Sequence, residues 1–365
     1  MTVFASQGRF GETPKRLDFT RVGLADAVRA SLYSPDLEGA MADSVRTVAF
    51  SLFKRVYRRL ATTPLRRVPG MLSLSNLFFR GFWPGGHVID VQGTKMYIDV
   101  NDPNPNMRKT FQAYGMALVH EEETTSLFRR IVKQGDVVLD LGANIGYFTI
   151  IAAKAVGTSG KVFSFEPEPT NFKYLSKNIE VNGLSNATPF RKAVSEKAGT
   201  GELFVCDYDS GHHTINQFDG IRAYSRGRHS EVHSIPIELV AIDEFLRDKT
   251  DRVDVIKMDV EGAEALALKG MRSTIQQNSH IKIIVEFFPL LMKNMGSSPE
   301  DFATSLLNDF GFSVYAIGHD YAMLDVDVGL VPVTSVEQLM SLLRQGDDHI
   351  NLYLTRESRE SLEAR

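Results

Sequence analysis

Val137-Val-Leu-Asp-Leu-Gly-Ala-Asn-Ile-Gly-Tyr-Phe-Thr-Ile150 is the stretch whose reading decides the fold. Its first five residues are apolar except for Asp140, the pattern of a strand buried on both faces of a parallel sheet. Gly142-Ala-Asn-Ile-Gly146 supplies a tight turn, and residues 145 to 156 follow with the apolar content of a packed helix. Strand, glycine turn and helix form the local design that aims backbone N–H groups and a helix N-terminus at a ligand. A Cβ at the glycines would hold such a ligand away from the backbone. The spacing is Gly-x-x-x-Gly, not the Gly-x-Gly-x-x-Gly of dinucleotide-binding turns. A turn that joins strand to helix with no ligand is the bland alternative.

Working outward, strand and helix patterns alternate. Val162–Phe165 reads as a strand ending at Glu166, and Thr170 to Val181 as a helix. Ala187 to Ala193 reads as a third strand and Leu203–Val205 as a short extra one. Ile235 to Ile242 is another, followed by a short helix from Asp243. Val253–Met258 runs into the charged group Asp259-Val-Glu-Gly-Ala-Glu264, with a helix to Gln276. Ile281–Val285 ends at Glu286, Pro299 to Asp309 is a helix, and Phe312–Ile317 and Ile350–Leu354 are the final strands. Before the central strand, Leu118 to Val132 has a helix pattern containing Glu121, Glu122 and Glu123, and His87 to Val100 alternates as a hairpin. Alternating buried strands and helices give an α/β, doubly wound sheet.

The chain has 365 residues, 43% hydrophobic and 24% charged, with a net charge of −4. That suits a globular protein with a sizeable core and gives no global argument for nucleic acid as a partner. Cys206 is the only cysteine, which rules out an internal disulfide and fits a reducing compartment. No apolar run is long enough to span a membrane, and the polar N-terminus lacks the apolar core of a secretory signal. These readings place the chain in the cytoplasm. Residues 1–86 read as a mainly helical extension, 87–114 as a hairpin lead-in, 115–357 as the catalytic core and 358–365 as a tail. Between 45 and 67 there are seven basic residues and no acidic one. Peripheral contact with a membrane or an acidic partner is one reading of that stretch. A solvated face of a packed accessory helix is the favoured one.

In such sheets ligands bind beyond the carboxyl ends of the strands. The polar residues fall at those ends: Asp140 and Asn144, Glu166, Asp259 and Glu261, and Glu286. A carboxylate at Glu166 can accept from both hydroxyls of a ribose, with a helix cap as its plainer role. Lys257-x-Asp259-x-Glu261-Gly262-x-Glu264 holds more charge than capping a helix requires.

Asp140-x-Gly-Ala-Asn-x-Gly146, Phe165-Glu-Pro167, Ile242-Asp243 and Ile256-Lys-x-Asp-x-Glu-Gly-Ala-Glu264 together resemble the FkbM family of S-adenosylmethionine-dependent methyltransferases. His120-Glu-Glu-Glu-Thr124, Gly270 and Ile284-Val-Glu286 look like the same pattern, and the resemblance spans about residues 88 to 318. It implies a class I methyltransferase (Rossmann-like) fold of seven strands with the last antiparallel, and S-adenosyl-L-methionine as cofactor. By resemblance, Asp140, Gly142, Asn144 and Gly146 hold the methionine part and Glu166 the ribose, with Ala143 also in the cofactor-binding set. Lys192 and Ala193 would lie near the adenine, and Glu121 joins the cofactor-binding set. The implied acceptor is a hydroxyl of a sugar, glycan or natural product.

A hydroxyl is a weak nucleophile, so a positioned base or metal should help. The candidates are Asp259, Glu261 and His213, with Lys257 as an orienting group. A divalent metal shared by Asp259 and Glu286 is the less favoured alternative. Residues 207–236, with Tyr208, Tyr224 and four histidines, are expected to form a loop over the strand ends, facing Asp259 and Glu261. Two rivals remain: an NAD(P)-dependent oxidoreductase on the same sheet, and a non-catalytic nucleotide-binding module. The missing dinucleotide spacing counts against the first and the acidic cluster at 257–264 against the second.

Overall fold

A computed structural model of the chain describes residues 86–91, 93–99, 101–102, 107, 110–111, 121–205, 213, 215, 233–318, 329–343 and 349–357. The chain divides into two units, Met1–Ser75 and Asn76–Arg365, and every described residue belongs to the second. The expected N-terminal helices, the basic stretch 45–67 and the tail 358–365 lie outside the described residues. So does most of 207–236, including Tyr208, His212, Tyr224 and His229.

The hairpin is β1 (His87–Val91) and β2 (Thr94–Ile98), antiparallel. Helix α1 (Glu122–Ile131) leads into β3 (Val137–Leu141). Acidic Glu122 and Glu123 in its first turn and Arg129 and Arg130 in its last match the helix dipole. Then come α2 (Tyr147–Val156), β4 (Lys161–Phe165), α3 (Pro169–Val181) and β5 (Ala187–Phe190). Short strands β6 (Ala193–Val194), β7 (Gly199–Val205) and β8 (His233–Val240) follow, then α4 (Ile242–Leu246). The second half holds β9 (Val255–Met258), α5 (Glu264–Gly270), α6 (Arg272–Gln277) and β10 (Lys282–Phe287). Helices α7 (Pro289–Asn294) and α8 (Pro299–Asn308) precede β11 (Ser313–Ile317). The chain closes with β12 (Leu330–Val333), α9 (Val336–Ser341) and β13 (Ile350–Thr355).

The main sheet has the order β12-β11-β13-β10-β9-β3-β4-β5. Strands β5, β4, β3, β9 and β10 are parallel, and β13 runs antiparallel between β10 and β11. The expected seven strands and antiparallel last strand are therefore present. Strand β12 adds an eighth at the edge, paired antiparallel with β11. All five residues of β3 are buried, as a central strand with helices on both faces requires. Leu139, Ile256 and Val285 are fully enclosed, each contributing roughly 1.5–3 kcal/mol by burial.

Several sequence readings are corrected. The expected strand 187–193 breaks after Phe190: β5 pairs with β4, while β6 pairs with β8 in a separate sheet of order β6-β8-β7. The strand expected to reach Ile242 ends at Val240, and Ile242 opens α4. The helix expected from 264 to 276 is broken at Met271 into α5 and α6. Segment 207–236 joins β7 to β8 within the small sheet, instead of linking strands of the main sheet.

Asn178 on α3 ties the hairpin to the glycine turn. Its Oδ1 accepts the Tyr97 N–H at 2.5 Å and its Nδ2 donates to the Ile145 carbonyl at 2.8 Å. The side chain is wholly buried. Replacing Asn178 by Ala strands two backbone groups, each costing about 1–3 kcal/mol. We expect Asn178→Ala to lose roughly 2–4 kcal/mol in urea unfolding and to speed exchange of the Tyr97 amide. Unchanged exchange there would show that the hairpin does not depend on this clamp.

Candidate active site

One cavity of about 500 Å³ opens at the carboxyl ends of β3, β4, β9 and β10. It is within the range of small-molecule sites. Asp140, Gly142, Ala143, Asn144, Glu166, Lys192, Ala193, Glu121, Lys257, Asp259, Glu261 and His213 all line it. Of the segment 207–236, the described residues His213 and Ile215 line this cavity. Gly146 is not among the lining residues.

The glycine turn works differently from the sequence expectation. The Gly142 and Ala143 N–H groups both donate to the Phe165 carbonyl at 2.9 Å, and Gly146 donates to Ala143 at 2.8 Å. Asn144 N–H donates to Glu166 Oε2 at 2.8 Å, and Ile145 N–H to the Asn144 side chain at 2.7 Å. The turn therefore spends its donors on the protein itself. What it presents to the cavity is carboxylate oxygen. The glycines serve close packing: a Cβ at Gly142 would lie 1.7 Å from the Asp259 carbonyl oxygen, and one at Gly146 2.8 Å from Leu175 Cδ1. Both have positive φ, of 81° and 94°, which an L side chain resists.

Register sets the floor of the site. Ser164, Asp140 and Lys257 are direct neighbours across β4, β3 and β9, and all three are buried. Asp140 accepts from Thr149 Oγ1 at 2.5 Å. Burial pushes its carboxyl up to about 6, against that bond and the Lys257 charge. Glu166 accepts a second backbone N–H, from Glu168, at 2.9 Å. Burial raises it to about 8, with both N–H donors pulling the other way.

Lys257 is 1% exposed and sits 3.0 Å from Asp259 Oδ2, its ammonium 5.1 Å from the centre of the Phe148 ring. Burial opposes its charge, but Asp259, Glu121 and Glu286 outweigh that and hold it above the usual lysine range. Oxygens of Asp259, Glu261 and Glu286 lie within 4.8 Å of one another, a spacing that a divalent cation could bridge. Burial, then Asp259, raises Glu286 well above its ordinary value. Among the described residues, the non-glycine residues at positive φ are Glu121, Asn144 and Glu261, and all three line this cavity. Backbone strain of this kind collects at functional sites.

Sequence reasoning missed Tyr147, Phe148, Asn171, Phe288 and His349, which also line the cavity. Tyr147 and Phe148 were hidden in a helix pattern that reads equally well as core. His349 lies just before the last strand, and nothing in the sequence says which strand that one joins.

A doubly wound sheet in this order, with carboxylates ending its first, second, fourth and fifth strands around one cavity, is a class I S-adenosylmethionine-dependent methyltransferase fold. Residues 140–314 match the family described as the methyltransferase FkbM domain. Methyltransferase sdnD of Sordaria araneosa is 27% identical over 198 residues, covering 48% of this chain and 73% of that protein. Hexuronic acid methyltransferase AglP of Haloferax volcanii is 28% identical over 192 residues, covering 52% and 68%. The crystal structure of Methyltransferase FkbM from Methylobacillus flagellatus aligns with a TM-score of 0.35 at 14% identity, over 68% of this chain and 53% of that one. The match over residues 140–314 and the relatives named as methyltransferases support an S-adenosylmethionine-dependent methyltransferase. None of the described helices is long and apolar enough to cross a membrane.

Glu264 offers a test of these electrostatics. It is fully buried beneath the site, its Oε1 accepts from Val260 and Gly262 at 3.1 and 3.3 Å, and its Oε2 has no hydrogen-bond partner among the described residues. Burial raises it to about 7 from 4.5. The folded state therefore holds a proton that the unfolded state releases, so stability falls as pH rises from 4.5 to about 7. Asp140, Glu166 and Glu286 act in the same direction. Glu264→Gln should flatten the loss of ligand-free stability between pH 5 and 8, by roughly 3 kcal/mol at most. Parallel pH curves for variant and wild type in urea unfolding would contradict this.

Proposed function

We propose that the chain transfers a methyl group from S-adenosylmethionine to a hydroxyl of a sugar, glycan or natural-product acceptor. The observation that carries the cofactor reading is the distribution of donors and acceptors. With its N–H groups engaged internally, the turn offers no nest for a pyrophosphate, which counts against a nicotinamide dinucleotide. The cavity beside it is lined by the carboxyl groups of Asp140, Glu166 and Glu121, which suit a ligand rich in hydroxyl and ammonium donors. Glu166, just beyond β4, supports the ribose reading, since a carboxylate accepts from both hydroxyls. The name of the hexuronic acid relative supports a sugar acceptor.

When bound, the cofactor supplies an already activated methyl group, so alignment and exclusion of water are the protein's main tasks. Lys257 holds Asp259 in one orientation at the mouth. Phe148, Phe165 and Phe288 give the cavity apolar walls. In this reading Glu261 and Asp259 bind acceptor hydroxyls, and His213 lines the same cavity.

In calorimetry, S-adenosylhomocysteine should bind and NAD should not. Glu166→Gln keeps the volume and the uncharged form that burial favours but sets an amide NH2 against one of the two backbone donors, so its fold is checked by circular dichroism. It should lose about 10- to 100-fold in affinity, the equivalent of one or two hydrogen bonds to a charged group. Equal affinity would remove Glu166 from the ribose. The acceptor is tested by product chemistry: a methyl ether survives mild alkali, whereas a methyl ester is cleaved. Alkali-labile label would replace the hydroxyl reading with a carboxylate acceptor.

A further inference from the structure

Glu121 lines the cavity from a strained piece of backbone. It is the N-cap of α1 and lies in the left-handed region, at φ 43° and ψ 66°. N-cap residues ordinarily have extended backbone and a side chain that accepts from the helix they open. Here the Thr125 N–H donates to the Glu121 carbonyl at 2.7 Å, and the side chain makes no cap bond. Its charge acts instead on Lys257, Glu286 and Tyr147, which line the same cavity.

The side chain that holds this carboxylate lies 230 residues further along the chain. Asn351 of β13, 1% exposed, donates from Nδ2 to Glu121 Oε2 at 3.2 Å and to Thr124 Oγ1 at 3.0 Å. Its Oδ1 has no hydrogen-bond partner among the described residues. A buried amide oxygen in that state calls for a reason, and the nitrogen's hold on the 121–124 turn supplies one. Strand order gives the contact its place: β4, which Glu166 follows, lies on one side of β3, and β13 on the other. With the ribose at Glu166 and the base near Ala193, the amino-acid end of the cofactor is directed across β3 to the Glu121 side. An α-ammonium brings three donors and a positive charge, and a carboxylate is the acceptor matched to both. The Lys257 ammonium is surrounded by Asp259, Glu121, Glu286 and Asp140, so the acids outnumber the cation they already hold.

Deepening the methyltransferase reading, on which this rests, we propose that Glu121 receives the α-ammonium of the cofactor and that Asn351 is the positioning residue that holds it there. The last strand thereby sets how strongly the site prefers a ligand with an amino group over the same nucleoside thioether without one.

Calorimetry on the full chain compares S-adenosylhomocysteine with the analogue that carries a hydroxyl in place of its α-ammonium. Wild type should bind S-adenosylhomocysteine about 10-fold or more tighter, the difference between a charged and a neutral donor. Asn351→Leu keeps the branched shape and removes the donors. It should cut that preference to about threefold or less, with the hydroxyl analogue bound as in wild type to within about threefold. Glu121→Gln should do the same, and adding Asn351→Leu to it should change the preference no further, because the asparagine acts through the carboxylate. Asn351→Ala removes the same donors with less bulk and gives the comparison if the leucine variant does not fold. A wild-type preference below about threefold overturns Glu121 as the ammonium site. A preference that Asn351→Leu leaves intact, or an equal loss of both ligands, overturns the positioning role. Wild-type protein that binds neither ligand overturns the methyltransferase reading itself, a result distinct from the others.

Discussion

The structure depends on keeping one ammonium charged inside the sheet. Lys257 is 1% exposed at the end of a strand with neighbours on both sides. Taking such a charge from water costs several kcal/mol, so it persists only among opposite charges in close contact. Asp259, Glu121 and Glu286 supply them, and Asp140 adds its own from the adjacent strand. The carboxylates need the lysine for the same reason. Burial and mutual repulsion raise Asp140 and Glu286 even beside the lysine, whose charge pulls both the other way. Strand ends, helix α1 and the last strand are thereby fixed around one point. Asn351 extends this by donating to Glu121 and Thr124, which couples β13 to the start of α1.

The glycine turn shows how one local design can serve opposite ligand chemistry. The same strand–turn–helix unit that cradles phosphate in other sheets here turns its N–H groups inward, onto the Phe165 carbonyl and the Glu166 carboxylate. Two things make this so. Strand β4 carries an acid at its end, which competes for the donors. The β9–α5 connection packs its backbone against Gly142 so closely that no side chain fits. An anion site becomes an acceptor-rich site without any change of fold.

The small sheet and the edge strand mark where chain pattern and assembly diverge. Alternating apolar residues identify β7 and β8 as strands, yet periodicity carries no information about partners. The two pair with each other and with β6, and leave the main sheet. The apparent third strand splits because Phe190 pairs toward β4 and Ala193 toward β8. Its outcome bears on the site, since Ala193, Val194 and Leu203 of the small sheet face the cavity.

From sequence alone came the doubly wound sheet and the acids at the strand ends, while the antiparallel last strand came only through the family resemblance. Buried strands, glycine turns and charge at strand termini are local signals, and each is written within a few residues. Asp140, Glu166, Lys257, Asp259 and Glu261 were legible for that reason. Tertiary structure alone decided that Ser164, Asp140 and Lys257 lie side by side, that the turn's donors point inward, and that His349 meets Glu286. These are contacts between segments far apart in the chain. They follow from strand order and register, and a one-residue slip in either would send each side chain to the other face.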